Sequence, residues 1–346
     1  MTLQTADSAV RAAPRKGFAR LLVSGIRREA DAVVSLLLRD PDGGPLPPWM
    51  PGAHVDVLFA NGILRQYSLC SDPADPTAWR VAVLREAASR GGSSYVHEAL
   101  HAGDTVEVRG PKDNFRGTAG TGEKVFIAGG IGITPLLPMI RTAHAAGESW
   151  QLLYLGTSVR SMAFLEEIAA LDPAGNKTRI HAKDQHGSLD LTAYLGGGAV
   201  AAGATVYACG PSRLLAGLRA VHETGGLPYL MTEDFGSEVS EANADGSDAN
   251  AGSSLARDNS AFVVETADGQ EIGVAAGETI LDALQRSGIP ALNSCRKGNC
   301  GTCETVVLGG MPDHRDDILN DEERALNETM MICVSRCRGE RLVLDI

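Results

Sequence analysis

The sequence predicts a multidomain protein of three units in series: a small antiparallel β-barrel, an α/β unit on a parallel sheet, and a compact α+β unit. Three observations lead there. Before about Arg109, six short strand-like runs are broken by Pro, Gly and Asp, the spacing of a small barrel. From Lys124 the pattern becomes strand, glycine turn and helix, repeated, which reads as βα units. Residues 236–260 are then Gly, Ser, Ala, Asn, Asp and Glu with almost no bulky apolar side chain, a stretch that reads as a flexible linker. The expected boundaries are 17–118, 119–235, the linker 236–260, and 261–346.

A length of 346 residues suits two or three domains. With 44% hydrophobic residues and a mean hydropathy of −0.04, the chain reads as soluble and globular. It holds no run of about 18 apolar residues, so no membrane span is expected. The stretch to Lys16 lacks the apolar segment of a signal peptide. Cysteine usage without such a signal points to a reducing cytoplasm and to metal thiolates rather than disulfides. The net charge of −12 is unevenly spread. Residues 236–346 carry 20 Asp and Glu against 9 Lys and Arg, whereas residues 1–235 carry 23 against 22. That balance argues against nucleic acid and for a protein partner with a basic face.

In the first unit the strand-like runs are Ala19 to Ile26, Val33 to Arg39, His54 to Phe59, Leu64 to Ser71, Trp79 to Leu84 and Thr105 to Arg109. Two features stand out. Arg65-Gln66-Tyr67-Ser68-Leu69 lies on a strand, where a period of two puts Arg65, Tyr67 and Leu69 on one face and Gln66 and Ser68 on the other. A guanidinium, a ring and a hydroxyl so close suit a planar, polar, phosphorylated ligand; an amphipathic strand is the plainer explanation. Arg90-Gly91-Gly92-Ser93-Ser94 leads into a short helix over Tyr95 to Leu100, and such a start offers free N–H groups to an anion. A capped turn explains it equally well.

In the second unit Val125 to Ala128 is a buried-strand run ending in Gly129-Gly130-Ile131-Gly132-Ile133-Thr134-Pro135, and Leu136 to Ala146 has helical spacing. A strand, a glycine turn and a helix start form a phosphate cradle, although the spacing is not that of the GxGxxG fingerprint. Further βα units follow at Gln151 to Leu155 with Ala163 to Leu171, and at Thr205 to Ala208 with Ser212 to Glu223. The latter turns at Cys209-Gly210-Pro211, the carboxyl end of a strand, where open parallel sheets bind ligands. Tyr229 to Phe235 reads as a last strand.

The third unit opens with a strand–turn–strand signal over Phe262–Thr266 and Glu271–Val274, followed by an amphipathic helix from Thr279 to Ser287. Then come the residues that carry most meaning. Cys295, Cys300 and Cys303 stand in C-x4-C-x2-C spacing, and Cys333 follows after 29 intervening residues. Four thiolates, two per iron, are what a two-iron, two-sulfide cluster needs, and the short loop must wrap it with amides aimed at sulfur. Gly298 and Gly301 supply the positive-φ turns. A structural zinc site is the alternative, but it usually shows two separated CxxC pairs, and only one is present. Strands Glu304 to Leu308 and Leu342 to Asp345 complete the unit.

Taken together, these motifs closely resemble the phthalate dioxygenase reductase family, which includes vanillate O-demethylase reductases. The likeness rests on Arg65 to Leu69, Arg90 to Ser93, Gly129 to Pro135, Cys209 to Pro211, Glu233-Asp234-Phe235 and the four cysteines. The resemblance implies an antiparallel β-barrel flavin domain, a Rossmann-like nucleotide domain and a C-terminal β-grasp ferredoxin domain. It implies FMN held by Arg65, Gln66, Tyr67, Ser68, Ala82, Val83, Leu84, Gly91, Gly92 and Ser93. The nicotinamide nucleotide falls to Gly130, Gly132, Thr134, Cys209, Gly210 and Pro211, with Phe235 near the flavin ring. Ser68, Cys209 and Phe235 form the implied catalytic set, and Cys295, Cys300, Cys303 and Cys333 the cluster ligands. NADH is expected over NADPH because Gly156 to Arg160 offers Arg160 alone to a 2′-phosphate. Hydride would pass from NADH to FMN, and single electrons through the 2Fe-2S cluster to a terminal oxygenase, of Rieske type or, alternatively, a cytochrome P450. A non-enzymatic electron carrier is the rival class. Cys70 and Cys337 depart from the pattern; the first reads as a small buried residue, the second as a competitor of Cys333. His54, His97 and His186 read as structural, since hydride transfer needs no general acid or base.

Overall fold

The structure is a computed structural model. It describes residues 17–87, 91–113, 115–117, 120–195, 200–201, 203–227, 229–235 and 259–346. Arg90 and nearly all of the expected linker lie outside these residues.

The first sheet contains β1 (Ala19–Ala30), β2 (Val33–Arg39), β3 (Ala53–Leu58), β4 (Leu64–Ser68), β5 (Trp79–Leu84) and β6 (Thr105–Asp113). Its spatial order is β4-β3-β6-β1-β2-β5, antiparallel throughout. Its two edges meet where Leu69 bridges Val81 and the Cys70 amide donates to the Arg80 carbonyl at 2.8 Å. All six expected strands are present, and closure into a barrel removes the exposed edges. Alternate residues such as Val23, Leu36, Val55, Val57 and Val81 fill the interior. Helix α1 (Gly92–Glu98) covers one end, inserting Val96, and His97 Nε2 lies 3.0 Å from the Val83 carbonyl, a structural tie.

The second sheet contains β7 (Arg116–Gly117), β8 (Lys124–Gly129), β9 (Trp150–Gly156), β10 (Thr178–Ala182), β11 (Thr205–Cys209) and β12 (Tyr229–Glu233). The order is β10-β9-β8-β11-β12-β7, parallel except for β7. Helices α2 (Ile133–Ala145), α3 (Leu165–Leu171), α4 (Lys183–His186), α5 (Leu191–Tyr194) and α6 (Ser212–Glu223) connect its strands. The chain runs outward from β8 to β10, then returns to add β11 on the other side. The carboxyl ends of β8 and β11 are therefore the topological switch point, where such sheets bind ligands.

The third sheet contains β13 (Phe262–Thr266), β14 (Glu271–Val274), β15 (Glu304–Asp313), β16 (Thr329–Met331) and β17 (Arg336–Leu344), in the order β14-β13-β17-β15-β16. Only β13 and β17 pair in parallel. Helix α7 (Ile280–Arg286) packs Ile280, Leu281 and Leu284 into the core, and Thr279 caps it by accepting from the Asp282 amide at 3.1 Å. Helix α8 (Asp321–Leu326) follows β15. This is the β-grasp arrangement.

Contacts join the units. Val33, Cys70 and Ala82 of the barrel share one core cluster with Phe126, Ile133 and Phe164 of the second domain. Arg80 of β5 grips Glu167 of α3 with a two-pronged fork, at 2.7 and 2.8 Å. Leu292, just before the cysteine loop, packs against Phe18, Leu58 and Leu64 of the barrel.

Candidate flavin, nucleotide and cluster site

Pairing of β3 with β4 sets the residues expected at the flavin: Ser68 stands opposite His54, Tyr67 opposite Val55 and Gln66 opposite Asp56. Ser68 is buried, and its Oγ has no hydrogen-bond partner among the described residues. A buried hydroxyl is rarely left so; a polar ligand edge against β4 would satisfy it. Burial raises the Tyr67 phenol, which therefore stays neutral, and its ring meets Phe59 edge-on at 6.3 Å. Arg65 lies across the start of α1. A Cβ on Gly92 would come within 2.8 Å of Arg65 Cγ, so glycine there is what lets the guanidinium stem pass. Gly91 takes a left-handed φ of 89°. Ser93 Oγ accepts from the Glu86 amide at 3.2 Å. Ala82 and Val83 are buried in β5, while Leu84 reaches the surface. An orphaned hydroxyl beside a glycine cradle spanned by arginine fits a planar, phosphorylated group.

At the switch point the grip is made by backbone. A Cβ on Gly132 would overlap the Cys209 carbonyl, and one on Gly210 would come within 2.8 Å of the Gly129 Cα. Gly130 takes a φ of 56°, and Thr134 Oγ1 donates to the Ile131 carbonyl at 2.9 Å, so this hydroxyl fixes its own turn. Two glycine turns thus press together above β8 and β11, with Pro211 packed on Gly129. Burial, and then the charges of Glu233 and Asp234, push the Cys209 thiol well above its ordinary value. Its side chain is fully buried, and a thiol so raised is a poor nucleophile. Phe235 packs on the core cluster shared by the first two domains.

The cysteine loop is built as the spacing requires. Gly298 and Gly301 take φ of 76° and 69°, and a Cβ on Gly298 would meet Val334 at 2.6 Å. Amides are aimed at sulfur: Lys297 N–H donates to Cys295 Sγ at 3.3 Å, while Thr302 and Gly298 amides serve Cys300 and Cys333. The four sulfurs neighbour one another: Cys300 is hydrogen-bonded to Cys295, and Cys333 to both Cys295 and Cys303. A hydrogen bond from Cys295, with burial, raises the Cys300 thiol. Cys333 is lowered by Cys295 but driven up to about 12 by Cys303 and burial. Binding of a cation must displace those protons.

The two cysteines that depart from the pattern both make local contacts. Cys337 Sγ accepts from the Gly339 amide at 3.2 Å and lies 3.4 Å from the Arg341 carbonyl, engaged within its own strand. Cys70 is fully buried, its thiol pushed up to about 12 by burial, and 3.4 Å from the Arg80 carbonyl.

The cysteine loop and strand β4 touch. Gln66 Nε2 donates to the Cys300 carbonyl at 2.7 Å and lies 3.0 Å from Thr302 Oγ1. On its other side it is 3.3 Å from His54 Nε2, whose Nδ1 is 4.0 Å from Glu233. A line of polar contacts therefore runs from the end of β12 through β3 and β4 to a cluster cysteine. Sequence reasoning missed Asp56, Arg109 and Thr302, which complete this junction. The one available signal was a carboxylate between Val55 and Val57 in a strand whose remaining residues, His54 apart, are apolar.

Comparison with known proteins gives the chain its family. The family described as the 2Fe-2S iron-sulfur cluster binding domain matches residues 264–338. Phenoxybenzoate dioxygenase subunit beta of Ectopseudomonas oleovorans is 39% identical over 94% of this chain and 97% of its own. Phthalate dioxygenase reductase of Burkholderia cepacia is 33% identical over 95% and 98%. A solved structure of phthalate dioxygenase reductase superposes with a TM-score of 0.65 at 32% identity, covering 96% of this chain and 98% of that one. An intact type IV self-sufficient cytochrome P450 monooxygenase gives 0.73 at 39% identity, and there this chain spans 41% of the other's length. The fold and site define an iron–sulfur flavoprotein oxidoreductase. The chain belongs to the phthalate dioxygenase reductase family of oxygenase reductases.

Proposed function

We propose that this protein takes hydride from NADH onto FMN and passes single electrons through a 2Fe-2S cluster to a separate terminal oxygenase of Rieske type. The observation that carries the reading is contact between the expected flavin strand and the cysteine loop: Gln66 of β4 donates to the Cys300 carbonyl at 2.7 Å. A flavin supplies the conversion from a two-electron donor to one-electron steps, and a cluster accepts those singly. The chain's own task is placement.

Ser68 would hold the flavin edge near N5, with Arg65, Tyr67, Gln66 and the backbone of Ala82 to Leu84 around the ring system. Gly91, Gly92 and Ser93 would receive the phosphate; the resemblance favours FMN over FAD. Gly130, Gly132, Thr134, Cys209, Gly210 and Pro211 would carry the nucleotide, with Phe235 shielding the flavin. Cys295, Cys300, Cys303 and Cys333 would hold the irons. Arg160 supports NADH over NADPH, because its guanidinium is engaged by Asp31 of the barrel at 3.1 Å. We assign the domains as 17–118, 119–235 and 261–346, and the cytoplasm as compartment, in keeping with seven free cysteines. Among the described residues, no helix is long and apolar enough to cross a membrane.

The relatives named as reductases of dioxygenase and demethylase systems support a separate oxygenase. A second reading, a P450 partner, is favoured by the match to the self-sufficient P450. Absorption spectroscopy with acid extraction tests the core: FMN and acid-labile sulfide are expected, while FAD would refute the flavin assignment. Reconstitution decides the partner, since reduced P450 shows a carbon monoxide difference band and a Rieske centre a distinct electron paramagnetic resonance signal.

A further inference from the structure

Where the cysteine loop meets the barrel, one carboxylate gathers donors from both domains. Asp56 of β3 is fully buried. Its Oδ1 accepts from Gln66 Nε2 of β4 at 2.9 Å and from Thr302 Oγ1 of the cysteine loop at 3.0 Å. Its Oδ2 accepts from Arg109 Nε and Nη2 of β6 at 2.9 and 2.8 Å, with Lys112 Nζ 3.8 Å away. The same donors reach past Asp56 to the loop backbone: Gln66 to the Cys300 carbonyl at 2.7 Å, and Arg109 Nη2 to the Thr302 carbonyl at 3.3 Å. Leu292 adds an apolar contact with Phe18, Leu58 and Leu64.

We propose that Asp56, Gln66, Arg109 and Thr302 form a latch that positions the cluster domain against the flavin strand, with Leu292 as its apolar half. The proposal rests on the relay described above. Within the barrel the carboxylate is held by Gln66 and Arg109, and the cysteine loop adds Thr302 as a further donor. Once there, the carboxylate must be fully bonded, because a buried charge that loses a donor is costly. Thr302 supplies one of those donors, so leaving the docked position strips Asp56 of a partner and forces water in. Paired polar groups of this kind fix register more than they add affinity. Thr302 lies between two cluster cysteines, and Gln66 is two residues from Ser68, so the latch sets the separation of cluster and flavin sites through very few bonds. These four are positioning residues.

The test uses the full-length holoprotein with Thr302→Val, Thr302→Ser and Leu292→Asp, all on the cysteine-bearing side. After NADH mixing, flavin bleaching is expected at the wild-type rate in all three. Cluster reduction should slow about tenfold or more in Thr302→Val, through loss of one buried hydrogen bond, and in Leu292→Asp, through a charge placed in an apolar contact, while Thr302→Ser restores it. Small-angle X-ray scattering should show a larger radius of gyration in the two slow variants. Wild-type cluster reduction and wild-type dimensions in both would overturn the latch. If Thr302→Val lost its cluster, Leu292→Asp, a side chain outside the ligand set, would decide. Scattering reads docking whatever the redox groups are, so a wild type lacking flavin or labile sulfide would sink the relay, while the dimensions of Leu292→Asp still judge the latch.

Discussion

The barrel with its neighbouring parallel sheet, and the cysteine-bearing domain, are built to hold redox groups by opposite means. The first pair grips with backbone: glycines at 92, 132 and 210 leave room that any Cβ would fill, and the side chains around them are few and ordinary. On the proposed reading the last domain grips with the sulfurs of Cys295, Cys300, Cys303 and Cys333, all free thiols at fixed spacing. A backbone grip tolerates many sequences and tolerates no added atom at the contact. A ligand grip tolerates change around it and none in the ligands.

That contrast can be broken in order of severity. Cys300→Ser should abolish cluster-dependent reduction of cytochrome c, because a thiolate is replaced by a poor iron ligand. NADH-driven flavin bleaching should continue; stopped-flow traces showing bleaching lost as well would contradict a division of labour between the domains. Next comes Gly132→Ala. Gly132 has a φ of −61°, so the residue's conformation is not the obstacle; the overlap with the Cys209 carbonyl is. Backbone cannot swing aside as a side chain does, and we expect a loss of about 3 kcal/mol in thermal or denaturant unfolding of the second domain. The KM for NADH should rise while flavin content holds. Gly92→Ala is milder, since the obstructing atoms belong to the flexible Arg65 side chain. Flavin affinity should fall about tenfold, corresponding to about 1.4 kcal/mol, read by fluorescence of released flavin, with melting temperature nearly unchanged.

The same contrast explains what the sequence disclosed. The cysteine spacing announced its chemistry outright, and all six barrel strands were legible because alternation and turn residues agree. The cradle at Gly129 to Thr134 was legible as a turn, but its partner surface, Gly210 against Gly129, exists only once β11 lies beside β8. Strand β10, reading Thr-Arg-Ile-His-Ala at the sheet edge, was missed because an edge strand needs little apolar surface. Helix α8 was missed for a related reason: Asp321-Glu-Glu-Arg-Ala-Leu buries none of its residues and stands on its Asn320 capping box. The junction of Asp56 with Thr302 was invisible, since 246 positions separate its partners.

The smallest effect concerns the seam between the first two domains, where neither backbone nor sulfur is the means. Glu167 of α3 accepts the Arg80 fork and also bonds Arg141 of α2, while Arg80 lies over the Phe164 ring at 4.7 Å. Burial pushes the Glu167 carboxyl up, but the hydrogen bond and charge of Arg80, with Arg141, outweigh it and leave the group below its ordinary value. A carboxylate so depressed contributes stability above its unfolded pKa of 4.5 and loses it as pH falls through the depressed folded value. Glu167→Gln should therefore cost about 1–2 kcal/mol at neutral pH, the worth of a charged hydrogen bond at a partly exposed seam. Its deficit against wild type should shrink on acidification below about pH 4. Calorimetric unfolding of both proteins across that range checks the sign: a deficit that stays constant or grows in acid would show that Arg80 is held there by the Phe164 ring and packing, not by the carboxylate.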